Sequence, residues 1–300
     1  MNYAQLLIPD FSLILIGYLV CRYTALNRTV WEQVESLVFY FLFPVLLFHS
    51  IVRSPLDLGA ASSLIAAALC LVGISIVLAY AVVWLPKVDP RTHASGAQVA
   101  YRFNSFIALA VAEKLGGPQG LLLIAIIIGV CVPLCNIGAI YPMAKQSGAG
   151  FIKSMVTNPL VIGTAGGLLA NVLGFSFPTW VEPTVTRIGQ ASLALGLMAC
   201  GAGMMWGRTF ATPALRVVGV NVLLIRHLAM PLLAWVMVQV FKLSPEHATA
   251  LYIYSALPTA SSCYVLASKM GYDAVPVAGL VTISTILGAF SLPFALGVLR

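Results

Sequence analysis

Charged side chains are scarce in this sequence. Only 8% of its 300 residues are Asp, Glu, Lys or Arg, whereas a soluble globular domain carries roughly 25%. This small number of charged side chains cannot cover the surface of a folded chain with hydrated groups. The exterior of the protein must therefore face lipid. The 16 Lys and Arg residues are spread singly and form no patch for a nucleic-acid backbone. These features exclude a cytosolic enzyme, a disordered regulator and a nucleic-acid binder.

Motifs of enzymes and of nucleotide-driven pumps are also absent. The sequence contains no P-loop, no G-x-S-x-G, no H-E-x-x-H and no dinucleotide-binding fingerprint. Its six cysteines lie in apolar runs or at their ends, where a thiol behaves as a small hydrophobic group, and they indicate no disulfide framework. Cys131 and Cys135 share a helix face, but no His or acid stands nearby to complete a metal site. We therefore predict neither an enzyme nor a cofactor.

Long apolar runs make up most of the chain, which is 60% hydrophobic. A membrane helix needs about 20 mostly apolar residues, and these runs are too long and uninterrupted for the strands of a membrane barrel. They predict an all-α membrane protein with ten transmembrane helices. We number these predicted spans 1 to 10 in chain order: 4–22, 31–52, 58–85, 93–116, 118–144, 154–174, 184–206, 213–241, 246–269 and 274–299.

The distribution of Lys and Arg predicts the orientation, because cytoplasmic loops are enriched in both. Loops after odd-numbered spans hold nine: Arg22, Arg28, Lys87, Arg91, Lys145, Lys153, Arg208, Arg216 and Lys269. The opposite side holds five: Arg53, Lys114, Arg187, Lys242 and Arg300. We therefore predict a multi-pass protein of the cell's inner (plasma) membrane with both termini external.

Weak internal similarity indicates two copies of a five-span unit, 1–145 and 154–300. Span 1 aligns with span 6, and span 4 with span 9, where residues 112–116 (AEKLG) match residues 267–271 (ASKMG). Because five is an odd number, the second copy must enter the membrane upside down. This is the inverted-repeat plan of secondary transporters.

Span 4 carries a polar stripe at helical spacing. Gln98, Tyr101, Arg102 and Ser105 are expected on one face of a continuous helix, with Asn104 at its edge. A charge at mid-bilayer costs at least about 2.5–3.5 kcal/mol, so Arg102 must face protein or water. Two interpretations remain open. Arg102 binds an anionic substrate, or it has a structural role such as pairing with an acid.

Span 9 carries a matching set of hydroxyl groups around a proline. Its stripe consists of Thr249, Tyr252, Ser255, Thr259 and Ser262, with Pro258 and Ser261 beside it. Pro258 has no backbone N–H and frees a carbonyl four residues earlier. Such groups are tolerated in a membrane only where protein or a wet cavity satisfies them. The hydroxyls either line a cavity or bond to nearby backbone.

Three further residues are candidates for protonation or coupling. Arg226 stands near mid-span beside His227. It contacts the substrate or, as we favour, has a structural role, with Asp10 and the carbonyl end of another helix as the two alternatives. His227 can titrate, although the adjacent Arg226 disfavours its charged form. Asp10 is the only carboxylate clearly within a span, and it can also pair with Arg102 or reach the headgroups.

Several short motifs resemble the auxin efflux carrier family, in particular its bacterial branch. The most extensive is the stretch 255–268, SALPTASSCYVLAS. Others are the FPVLLF of 43–48, Asn158-Pro159, the basic residue before Met230-Pro231, Ser284-Thr285 and Leu292-Pro293. The resemblance implies a scaffold domain of spans 1, 2, 6 and 7 and a transport domain of spans 3–5 and 8–10. It also implies broken spans 4 and 9 that cross near the substrate, as in sodium/bile-acid symporters, and organic-anion substrates such as malate, malonate and auxin.

The sequence departs from this family's pattern in spans 4 and 7, and from that of the sodium/bile-acid symporters in span 9. Residues 104–111 of span 4 contain neither Gly nor Pro, so the break rests on Asn104 and Ser105 or the helix is continuous. Leu193 stands where span 7 of the family often has proline. Span 9 lacks the acid that bile-acid symporters use for sodium, which favours proton coupling or uniport.

These observations predict a secondary carrier of small organic anions that works by alternating access. Gln98, Tyr101, Arg102, Asn104, Ser105, Thr259, Ser261 and Ser262 are the predicted substrate-binding residues, and Pro258 marks the helix crossing. The alternatives are a sodium-coupled symporter of the bile-acid type and a passive channel. The predicted partners are the substrate, the lipid bilayer and, as an open alternative to a monomer, a second copy of the chain.

Overall fold

The computed structural model describes residues 3–53, 58–144, 159–206, 208–260 and 262–299. All regular structure in these ranges is helical, as predicted. The α-helices in chain order are α1 Tyr3–Tyr23, α2 Arg28–Leu37, α3 Phe43–Val52, α4 Leu58–Ala81, α5 Pro90–Gly96, α6 Ser105–Ala144, α7 Pro159–Val172, α8 Glu182–Ala202, α9 Pro213–Leu224, α10 Met230–Val240, α11 Pro245–Ala256, α12 Ser262–Lys269 and α13 Ala274–Phe294.

Shorter helical turns join some of these helices. π-Helical turns connect α2 to α3 at Val38–Leu42 and α9 to α10 at Ile225–Ala229, and a third follows α13 at Ala295–Leu299. A 3-10 turn, Ala97–Ala100, extends α5. Gly117 has a φ of +53° and divides α6 into two arms, at the predicted boundary between spans 4 and 5.

Four segments within the described ranges are long and apolar enough to cross a membrane. They are Ser62–Trp84, Pro90–Met143, Pro213–Val240 and Ala274–Leu299. The second has 54 residues, more than twice the about 20 residues that one crossing needs. Large apolar side chains such as Val77 and Phe290 are exposed on the outside of these segments, as expected for a membrane protein. The count of ten crossings stays a prediction.

Many helices start at a polar cap followed by proline. The cap's side-chain oxygen accepts a hydrogen bond from a free N–H of the first turn, and proline is tolerated because its position needs no donor. Three helices share this start: α5 with Asp89-Pro90, α9 with Thr212-Pro213 and α11 with Ser244-Pro245. The hydrogen bond from Thr92 N–H lowers the pKa of the Asp89 carboxyl. These pairs set where the helices begin.

Glycines allow two pairs of helices to pack with their backbones in contact. α1 lies along α8, where a Cβ added to Gly201 would overlap the carbonyl oxygen of Ile14. α3 lies along α7, where Gly163 faces the backbone of Pro44 and Gly167 that of Phe48. Small residues in these positions are typical of membrane helix packing. α1, α3, α7 and α8 thus form one packed group.

The remaining long helices pack among themselves. α4 contacts α6 and α10, α6 contacts α11, and α12 contacts α13. The two groups meet at the first arm of α6, where Phe106 stacks on Phe43 of α3 with ring centroids 4.3 Å apart. This junction lies next to the candidate site.

Candidate functional site

Two interruptions of the helices touch each other in the interior. The backbone is non-helical at 101–104, between the 3-10 turn and α6, and at 257–260, after α11. Asn104 N–H donates to the carbonyl of Pro258 at 2.8 Å. The hydroxyl of Thr259 donates to the carbonyl of Val99 at 2.6 Å. Each interruption therefore supplies a partner for the backbone of the other.

Asn104 accounts for the interruption that lacks both Gly and Pro. Its side-chain oxygen accepts hydrogen bonds from the N–H groups of Phe106 at 3.0 Å and Ile107 at 3.2 Å, so it caps the start of α6. Its amide nitrogen donates to Cys200 Sγ on α8 at 3.0 Å. Span 4 is therefore not a continuous helix, and a capping asparagine takes the place of proline.

Arg102 lies in the first interruption and reaches the start of α12. Its guanidinium donates to Gln98 Oε1 at 2.9 Å and to Asn136 Oδ1 at 3.4 Å. It also donates to the carbonyl oxygen of Ser262 at 3.4 Å and to Ser262 Oγ at 3.1 Å. All these partners are neutral, and no carboxylate in the described ranges forms an ion pair with Arg102. Within the part of the chain that the structure describes, dipoles meet its charge, and the side chain is only half-buried.

The prediction that the polar residues of span 4 share one helix face is wrong, because the chain leaves the helix at residue 101. Gln98 is buried and also donates to the carbonyl of Cys263 at 3.0 Å. Tyr101 is fully buried beside α6, where its carbonyl accepts from the Cys135 thiol. Ser105 begins α6 and is half-buried. Gln98 thus supports Arg102, whereas the Tyr101 side chain packs in the core.

The hydroxyls of span 9 are also divided by the interruption. Thr249 and Ser255 bond to their own helix, at Pro245 O and Tyr252 O, which fits the alternative of local backbone bonding. Thr259 is buried at the crossing, whereas Ser262 is exposed and contacts Arg102. Ser261 lies outside the described residues.

Arg226 is fully buried and holds the end of α11. Its Nε donates to Leu257 O at 2.6 Å, and its Nη2 donates to Tyr254 O at 2.7 Å. Tyr254 is four residues before Pro258, so its carbonyl is the one that proline leaves without a helical partner. A cation at the negative end of a helix is also favourable. Of the two alternatives for Arg226, the structure shows the carbonyl end of another helix.

Asp10 pairs with neither arginine, contrary to one alternative from the sequence. Its Oδ2 lies 2.9 Å from Nζ of Lys114, near the end of the first arm of α6. The pair joins α1 to α6 and is mostly covered, with side-chain exposures of 12% for Asp10 and 26% for Lys114. Sequence reasoning assigned Lys114 only to a loop, and nothing in the sequence linked it to Asp10 across about a hundred residues.

His227 lies in the π-turn between α9 and α10 and contacts two serines of α13. Its Nε2 is 2.8 Å from Ser284 Oγ, and its Nδ1 is 3.0 Å from Ser291 Oγ. Ser284 Oγ also accepts the N–H of Thr259 at 2.9 Å. His227 is thereby connected to the crossing through one side chain. Ser284 stands out in the sequence only as part of a family motif, and no sequence pattern points to Ser291 or Asn136.

Comparison with known proteins supplies the family. The model of a family described as membrane transport protein, of the auxin efflux carrier type, matches residues 141–296. This match covers slightly more than half of the chain and includes Arg226, His227 and the interruption at Pro258. No curated protein matches the sequence. The family consists of transporters, in agreement with the prediction of transport rather than catalysis. The chain therefore belongs to the membrane transport protein family of the auxin efflux carrier type.

Proposed function

We propose that this protein is a secondary active carrier of small organic anions that works by alternating access. Its substrates are mono- or dicarboxylates, including weak acids of the auxin kind. One observation carries the proposal: the half-buried Arg102 at the crossing is bonded only to neutral oxygens. A planar guanidinium can bind a carboxylate with two parallel hydrogen bonds, and here that capacity is directed to the point where two helices are interrupted.

Helix ends add to the attraction for an anion. α6 begins at Ser105, three residues after Arg102, and α12 begins at Ser262, which Arg102 contacts. Each helix N-terminus carries a partial positive charge of about half an elementary charge. Such ends bind anions in many proteins, and discontinuous helices bind substrates in this way in secondary transporters. Ser105 and Ser262 provide polar groups around the anion, and Asn104 and Thr259 hold the two interruptions together.

The same proposal includes a two-part architecture of ten spans, as two inverted repeats of five. Spans 1, 2, 6 and 7 form a scaffold, and spans 3–5 and 8–10 form a transport domain. The close packing of α1 on α8 and of α3 on α7 supports the first group, and the packing of α4, α6 and α10–α13 supports the second. The protein lies in the plasma membrane with both termini external, in a form that can dimerise.

Thermal unfolding of the purified protein with a panel of mono- and dicarboxylates tests the substrate class. A ligand that binds only the folded state stabilises it by about 2.7 kcal/mol at 100 times its Kd. Arg102→Ala should abolish this stabilisation while leaving a folded protein. Arg102→Lys should restore it only in part, because an ammonium lacks the two-pronged contact. Arg216→Ala, at an exposed arginine of α9, is the matched control and should behave as the wild type.

Two results would contradict the proposal. Undiminished stabilisation of Arg102→Ala would end the role of this residue in binding. Flux in proteoliposomes that neither saturates nor shows counterflow would indicate a passive channel. Sodium-dependent stabilisation would favour the bile-acid-type symporter, although span 9 lacks the acidic residue that those symporters use for sodium.

A further inference from the structure

The hydrogen bonds around His227 determine how many protons its ring carries. The ring lies in the π-turn Ile225–Ala229, between Ser284 and Ser291 of α13. π-Turns are rare and occur frequently at functional sites. A hydroxyl can donate only one hydrogen. Following each hydroxyl hydrogen to its acceptor therefore fixes the role of each ring nitrogen.

On the Ser284 side, the ring must donate. The Thr259 hydroxyl donates its hydrogen to the carbonyl of Val99, at 2.6 Å. The contact of 3.1 Å between Ser284 Oγ and Thr259 Oγ1 therefore uses the hydrogen of Ser284. Ser284 Oγ has none left for His227, so Nε2 donates to it across 2.8 Å.

The same count of hydroxyl hydrogens applies on the Ser291 side of the ring. A carbonyl oxygen can only accept, so Ser291 Oγ donates to Ala256 O at 2.9 Å. The contact of 3.0 Å between His227 Nδ1 and Ser291 Oγ then needs a hydrogen on Nδ1. With both nitrogens donating, the ring is an imidazolium. A neutral ring keeps only one of these two hydrogens. Either the Ser291 hydroxyl then turns to Nδ1 and Ala256 O loses its partner, or the Ser284 hydroxyl turns to Nε2 and Thr259 Oγ1 loses its donor.

We propose that His227 is the proton-binding site that couples proton movement to anion transport, with Ser291 as the residue that transmits the proton to the interruption of α11. This inference rests on the proposed carrier function. Ala256 is the last residue of α11 and Thr259 follows Pro258, so from either neutral form protonation adds a hydrogen bond at this interruption. The residue as a whole is half-buried.

The charges around the ring make its protonation depend on the anion. The adjacent Arg226 opposes a second positive charge. The elements packed on the π-turn are α4, α9, α10, α11, α13 and the turn Ala97–Ala100. In their described residues the other ionisable groups are Cys70 and Tyr80 on α4, Arg216 on α9, and Glu246, His247, Tyr252 and Tyr254 on α11.

Of these groups, only Glu246 is acidic, and it stands at the opposite end of α11, about 15 Å along the helix from Ala256. No carboxylate therefore compensates a charged His227 within these described elements. A substrate carboxylate at Arg102 would supply the missing negative charge. Because binding free energies are reciprocal, the proton and the anion should each strengthen the binding of the other. The result is cotransport of both in one direction.

NMR of purified protein labelled with 15N-histidine can follow the ring directly, with His227→Gln to assign its signal. The titration runs from about pH 8, above the range where histidine ordinarily changes charge, down to the lowest pH at which the protein stays folded, because the adjacent Arg226 opposes a charged ring. We expect Ser291→Ala to weaken proton binding at least about tenfold, because a hydrogen bond to a charged group is lost. Ser255→Ala, a buried serine bonded only within α11, is the matched control and should leave the titration unchanged.

Two outcomes would overturn the proton site: a His227 signal that does not change with pH, or a titration of Ser291→Ala that coincides with that of the wild type. Malonate is the probe for coupling and should move the wild-type midpoint to higher pH. Arg102→Ala should lose this shift but keep the titration. A normal titration that no carboxylate shifts would refute the coupling and the substrate class, not the proton site. Stabilisation by malonate without titration would refute the proton site alone.

Discussion

The bond between Arg226 and the carbonyl that Pro258 frees can be measured by a double-mutant cycle. Arg226→Met removes two charge-assisted hydrogen bonds, to Tyr254 O and to Leu257 O, each worth about 1.5–3 kcal/mol. It also removes a buried charge, whose cost in a membrane is about 2.5–3.5 kcal/mol on insertion scales. The change in the free energy of unfolding of the single variant is the difference between these two opposing contributions, so by itself it does not measure the hydrogen bonds.

Pro258→Ala separates the two effects. Alanine restores an N–H that can donate to Tyr254 O within the helix, so Arg226 is no longer the only donor for that carbonyl. In the Pro258→Ala background, Arg226→Met should lower the free energy of unfolding by less than it does in the wild type. The difference should be the contribution of one charge-assisted hydrogen bond. The expected coupling free energy is about 1.5–3 kcal/mol.

Chemical unfolding of the purified single and double variants in detergent gives the four free energies. Pro245→Ala is the matched control, because this proline opens α11, where no intrahelical N–H is required. Its combination with Arg226→Met should be additive within about 0.5 kcal/mol. A coupling for Pro258 no larger than that of the control would refute the assignment of Arg226 to the freed carbonyl.

The remaining predictions concern the contacts of α1. Gly201→Ala should destabilise the protein by about 1–3 kcal/mol, because its Cβ would overlap the backbone of α1. Gly73→Ala, at a helical glycine with open space around it, should be neutral or stabilising by up to about 1 kcal/mol. Lys114→Met should cost about 1–2 kcal/mol by isolating Asp10, between the values for exposed and buried pairs. Asp10→Asn in addition should recover most of that loss in thermal unfolding.

Clear outcomes would contradict these two predictions. Equal melting temperatures for Gly201→Ala and Gly73→Ala would mean that α1 and α8 are not in backbone contact. Losses that add in the double variant of Asp10 and Lys114 would mean that the two side chains do not interact.

Local signals in the sequence predict the helices well. Apolar runs longer than about 18 residues have few alternatives to a membrane helix, and the boundary expected near residue 117 coincides with a glycine of positive φ. Pro258 marks an interruption because proline removes a donor wherever it stands in a helix. These features depend on neighbours in sequence, so they can be read without knowing the fold.

The interruption at Asn104 could not be predicted in this way. An asparagine within an apolar run is compatible with a helix interior, and its capping role depends on where the backbone N–H of Asn104 finds its acceptor. That acceptor, Pro258 O, is more than 150 residues away. The same reason explains the error about Gln98, Tyr101 and Ser105, since a 3.6-residue period places side chains on one face only while the helix continues.

The two arginines at the crossing differ in what compensates their charge. Arg226 is bonded to carbonyl oxygens at the end of α11, where the helix supplies about half an elementary negative charge. Arg102 is bonded to amide, hydroxyl and carbonyl oxygens near the beginnings of two helices, where the partial charge is positive. The binding free energy of an anion is therefore more favourable at Arg102, whereas the loss of a hydrogen-bond donor lowers stability more at Arg226. Substituting Arg226 should lower stability before affinity, and substituting Arg102 should lower affinity before stability. The reverse order in one unfolding assay would show that the roles assigned from their partners are exchanged.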